Sequence, residues 1–133
     1  MFRGWKGTYP IINFLLIGKK NSIKLNGLVD TGAYYTTMHS YYADEAGIDL
    51  TKAEKEIIES TNGKIEGKKV NVYLKLIDNF TNENISIKTD VVFIDNFKLN
   101  KEAVIIGREG IFNKFKEISF SENTQNKNVK FKF

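Results

Sequence analysis

The chain has 133 residues, enough for one buried core and too few for two of useful size, and 41% of them are hydrophobic. There is no cysteine and a single histidine, His39, which excludes disulfides, thiolate metal sites and any metal site built on paired histidines. The net charge of +4 comes from lysines scattered along the chain without a block, so a solvated basic surface outweighs a nucleic-acid-binding patch. No basic-then-apolar leader opens the sequence, and the apolar run at residues 11–17 is far too short to span a bilayer. The expected location is the cytoplasm, with no membrane association.

In chain order, residues 10–17 read as an apolar strand, 18–21 as a turn and 22–29 as a second strand, together a hairpin. That second strand runs directly into Asp30-Thr31-Gly32-Ala33, where an acid at a strand end could activate a water. An exposed β-turn would also accept Asp-Thr-Gly, but a turn needs neither the apolar Leu28-Val29 before it nor the β-prone run at 34–38 after it. Residues 40–46 predict a short helix stopped by Gly47. Thr51 and Glu54 have the spacing of a capping box, which locally favours a helix through 58. Residues 57–61 and 64–76, the latter alternating at Val70, Val72, Leu74 and Leu76, flank Asn62-Gly63 as a hairpin. The strand at 85–94 becomes continuously apolar at Val91-Val92-Phe93-Ile94, which predicts burial on both faces. A further strand at 101–106 leads into Gly107-Arg108, a short helix is expected over 109–115, and alternating strands at 117–121 and 129–133 enclose a polar loop. The expected class is all-β with one or two short helices.

Three features taken together resemble the retropepsin-like aspartic proteases, the small prokaryotic members more than the viral ones. They are Leu28-Val29-Asp30-Thr31-Gly32-Ala33, the Asn62-Gly63 hairpin at the distance of the family's flap, and Val104-Ile105-Ile106-Gly107-Arg108. The stretch 112–120 and the last strand suit the same subgroup. The resemblance covers roughly residues 10–133 and implies an acid-protease fold, a closed β-barrel forming a single-lobe subunit, with residues 1–9 as an N-terminal extension. It also calls for a strand where the capping box stands, and a strand is expected there. Asp-Thr-Gly occurs once, and Asp78, Asp90 and Asp95 are followed by Asn-Phe, Val-Val and Asn-Phe. The chemistry needs two carboxylates facing one water with one proton between them, so the two-lobed pepsin arrangement is excluded and a second identical subunit is expected.

The resemblance assigns Asp30, Thr31 and Gly32 to catalysis. It assigns Ala33, Tyr34, Thr61, Asn62 and Gly63 to substrate binding, and Gly107 and Arg108 to support beneath the loop. The viral pattern has an acid near such an arginine, whereas Tyr34-Tyr35 stands here. Tyr34 either donates its phenol in that acid's place or belongs to the core. The implied function is a homodimeric aspartic endopeptidase acting on an extended polypeptide, without metal or organic cofactor. Two other readings stand beside it, a non-catalytic polypeptide-binding module on the same fold and a small basic β-barrel binding single-stranded nucleic acid. Phe131 and Phe133 could stabilise the dimer, or could be buried in a hairpin with Ile118 and Phe120.

Overall fold

The computed structural model describes residues 2–5, 9–60, 63–78, 80–95, 103–123 and 127–132. Its strands are β1 (Phe2–Gly4), β2 (Ile11–Ile17), β3 (Ser22–Val29) and β4 (Thr36–His39), followed by helix α1 (Ser40–Ala46). Then come β5 (Glu54–Ser60), β6 (Gly63–Ile77), β7 (Asn84–Ile94), β8 (Ile105–Ile106), a 3₁₀ turn at Phe112–Lys114, β9 (Glu117–Ser121) and β10 (Asn128–Lys132).

Period-two alternation supplies the core. Ile12, Phe14 and Leu16 of β2, and Leu74 and Leu76 of β6, are fully buried, while the residues between them are partly exposed. The strands run in the order β2-β3-β8-β4-β7-β6-β5, and β2 pairs again with β6, from Asn13↔Ile77 to Ile17↔Tyr73, which closes six strands into a barrel. β5 lies outside the ring. β6 pairs with β5 over Gly63 to Lys69 and with β7 from Lys68 onward, so the β5–β6 hairpin projects from the barrel as a two-stranded ribbon. In β7, Val91 and Phe93 join the core cluster, while Val92 and Ile94 are covered on the opposite face, where Gly67 of β6 lies against them.

Local chemistry decides the helical segments. His39 Nδ1 accepts from the Tyr41 N–H at 3.0 Å to cap α1, and the helix ends at Gly47 in the left-handed region at φ 79°. Residues 51–54 do not start a helix, because the Thr51 N–H and hydroxyl both donate to the Asp49 carboxylate, at 2.9 and 2.7 Å. Glu54 is thereby left to β5, and the strand expected there is present. The helix expected over 109–115 is reduced to the 3₁₀ turn. Gly110 sits at φ 72°, and the Glu109 carbonyl accepts from the Thr89 hydroxyl at 2.9 Å instead of from a helical amide. Of the strand expected over 101–106, Ile105–Ile106 is formed and 103–104 are not, while 101–102 lie outside the described residues.

β1, β10 and β9 form a separate three-stranded sheet, with Phe2 opposite Phe131 and Phe131 opposite Ile118. Phe131 is fully buried, its ring 5.1 Å from Phe115 and 6.4 Å from Phe112. Of the two fates open to it, burial within its own subunit is the one observed, which removes it from the candidate dimer contacts; Phe133 lies outside the described residues.

Arg3 fastens β1 to the barrel. Its Nε donates to Asp78 Oδ2 at 3.0 Å, and Asp78 Oδ1 accepts from the amides of Phe80 at 2.6 Å and Thr81 at 3.0 Å. Burial raises the Asp78 pKa, but Arg3 and the two amides outweigh it and hold the carboxyl below its usual range. A depressed carboxyl contributes stability above its unfolded value of about 3.9, and that contribution is lost as pH falls through the folded value. Asp78→Ala should therefore cost about 2–4 kcal/mol at neutral pH, leaving two amides without an acceptor and Arg3 with only the Phe80 ring, 4.7 Å away, as its partner. Urea unfolding of both proteins should show the difference shrinking as the pH drops below the carboxylate range.

Candidate active site

The end of β3 is held on both sides. The Leu28 and Asp30 amides donate to the carbonyls of Val104 and Ile106 at 2.9 and 3.0 Å, and the Val29 amide donates to Pro10 at 2.9 Å. Asp30 then turns the chain on itself. Its Oδ1 accepts from the Gly32 N–H at 2.8 Å, and its carbonyl accepts from Ala33 at 3.2 Å. Asp30 is half-buried at the lip of the barrel, with Thr31 and Gly32 exposed beside it.

The loop rests on residues 107–109. Arg108 and Glu109 amides donate to the carbonyls of Ala33 at 3.0 Å and Tyr34 at 2.7 Å. Gly107 packs against the loop so closely that a β-carbon there would lie 2.4 Å from the Tyr35 carbonyl. Its N–H donates to the hydroxyl of the fully buried Thr36 at 3.1 Å. Thr36 was missed in the sequence, where it reads as one more β-prone residue after the loop.

Tyr34 and Arg108 meet, though not as an ion pair. The Arg108 guanidinium lies over the Tyr34 ring, 5.7 Å from its centroid. The Tyr34 phenol hydrogen-bonds the Glu109 carboxylate, whose bond and charge push its pKa up. Tyr34 is 52% exposed and so is not core; the carboxylate its phenol meets is that of Glu109.

A cleft of about 760 Å³ opens above the loop. Asp30, Gly32, Ala33, Tyr34, Tyr35 and Thr37 form its floor, and Ile57, Ile58 and Glu59 of β5 form its roof. Asp30, Gly32, Ala33 and Tyr34 are thus brought together, with Gly107 and Arg108 directly beneath. Gly63 begins β6 and is not in the cleft lining, while Thr61 and Asn62 lie outside the described residues. The roof contacts at 57–59 were not foreseen, although the apolar Ile57-Ile58 pair ahead of Asn62-Gly63 was the available signal. A second depression of about 510 Å³ flanks the other side of Asp30, lined by Leu28, Val29, Thr31, Phe120 and Glu122. Among the described residues no cluster of three histidines or acids is placed to hold a metal ion.

A closed barrel that presents Asp-Thr-Gly on a loop under a β-hairpin is the retropepsin-like acid-protease fold. The aspartyl protease family model matches residues 17–109, from the end of β2 through the residues under the loop. The chain belongs to the aspartyl protease family and is, by class, an aspartic peptidase. Among solved structures it is similar to a retropepsin-like aspartic protease from Rickettsia conorii, with 19% identity and a TM-score of 0.58, over 91% of this chain and 88% of that one. No curated protein matches the chain.

Proposed function

We propose that two copies of the chain form a symmetric aspartic endopeptidase. Each subunit contributes one Asp30 to a shared water. One carboxylate accepts the water's proton as it attacks the peptide carbonyl, and the partner's acid donates a proton to that carbonyl oxygen. Thr31 would bond the opposite loop and keep the two acids nearly coplanar, and the Gly32 carbonyl would accept a substrate N–H. The β5–β6 ribbon would close over an extended polypeptide held by main-chain bonds, with side chains in alternate pockets.

The observation that carries this reading is a lone Asp30 on a rigid loop, half-buried and open on two sides. The substrate-sized cleft lies on one side and the Thr31–Phe120 depression on the other. Phe120 is 41% exposed there, giving a second subunit apolar area to cover. The described charged residues lining the cleft are Asp30 and Glu59, both acids, which disfavours a nucleic-acid backbone.

Activity per chain should rise with protein concentration until the dimer saturates. Excess Asp30→Asn chains should then poison the wild type through inactive heterodimers. Sedimentation showing a monomer whose specific activity is independent of concentration would sink the proposal.

A further inference from the structure

We infer that Glu59 makes the cleft selective for a basic side chain, Lys or Arg, in the polypeptide it holds; this rests on the peptidase reading above. Four acids lie on the β5–β6 ribbon, and three are neutralised. Glu54 and Glu56 share Lys69, at 3.5 and 3.6 Å, and Glu66 meets Lys55 at 3.6 Å. Glu59 is the fourth, and its carboxylate has no ion pair or hydrogen bond among the described residues. It is also the one of the four that lines the cleft.

Lys64 stands opposite Glu59 in register without closing an ion pair, and an exposed pair of that kind would contribute little. The surroundings suit a long cation. Ile57, 54% exposed on the same ribbon, and the Tyr34 ring on the floor offer apolar surface for an aliphatic stem, and the carboxylate offers an end point for its charge. No basic residue is among the cleft's described lining residues; the nearest cations, Arg108 and Lys69, lie against the Tyr34 and Tyr35 rings at 5.7 and 5.5 Å, and Lys69 is already shared by Glu54 and Glu56. The chain as a whole carries +4, so long-range attraction would not bring a basic peptide in; the preference must arise at contact. Once the ribbon closes and water is excluded, that contact strengthens.

The test uses a peptide set identical except for Lys, norleucine or Glu placed in turn at each position around the cleaved bond. At one position wild type should show kcat/KM higher for Lys than for Glu by roughly three- to tenfold, the span between an exposed pair and one shielded from water. Glu59→Gln should bring that ratio close to one, and Glu59→Lys should invert it. Raising the salt to about 0.5 M should narrow the wild-type ratio. Cleavage with no charge preference at any position, or a preference that both variants keep, overturns this inference and leaves the peptidase reading standing. Failure of wild type to cut any peptide overturns both.

Discussion

Asp30→Asn should lower kcat/KM by at least about 10³-fold, the scale of losing a positioned proton-transfer group, while leaving the fold in place. The amide keeps the size of the acid, and its oxygen can still accept from the Gly32 N–H that shapes the loop. What it cannot do is take a proton from water. The measurement is peptide hydrolysis beside thermal unfolding, with the variant's Tm expected within about 2 °C of wild type, a surface-like change. Undiminished hydrolysis would mean that the water is activated elsewhere. Loss of activity together with loss of fold would mean that Asp30 is chiefly a turn residue.

The second large effect is expected from a single methyl group. In Gly107→Ala the added carbon would sit 2.4 Å from the Tyr35 carbonyl carbon and oxygen and 2.8 Å from the Tyr34 oxygen, all of them main-chain atoms. Neither side can give way cheaply. Just ahead of Gly107, β8 is parallel to β3 and antiparallel to β4, and the next two amides are bonded to the loop itself. The substitution should cost about 3 kcal/mol or more, the upper range for overpacking. It should also displace the Asp30 loop, and a shift of about 1 Å at a reacting group lowers rate by about 10²-fold. Urea unfolding and kcat/KM for the same preparation check both, and stability within about 1 kcal/mol of wild type would show that the contact relaxes.

The parts of this molecule that local chemistry dictates could be read before the fold was known. Helix α1, with Gly47 at its end, and the alternating strands β2, β6 and β7 depend on spacings a few residues long. The Asp30 loop was legible for the same reason, since strand, acid and glycine are contiguous. Where a distant partner decides, the sequence was silent or misleading. A capping box at 51–54 lost to Asp49 on one side and Lys69 on the other. Nothing near Phe2–Gly4 says that its partner is β10 at the far end of the chain, or that Arg3 will find Asp78. Thr36 looks like any strand threonine until Gly107 arrives from seventy residues away. The Arg108 partner was unclear because the acid expected for it is absent, and the aromatic face that replaces it belongs to a residue that also bonds Glu109.

The ribbon formed by β5 and β6 also restricts how such an enzyme can vary. Lys68 and Lys69 are where β6 passes from the ribbon into the barrel, paired to β5 on one side and β7 on the other, so the ribbon strands beyond them are free to be longer or shorter without disturbing the barrel. They are not free to change by any amount. Side chains alternate faces along a strand, so adding one residue to each arm would turn the reading frame over and exchange the residues that look down for those that look out. Lengths that preserve the roof come in steps of two per arm. Inherited insertions and deletions here should therefore be discrete, and a graft between relatives should succeed or fail by parity before the identity of the grafted residues matters.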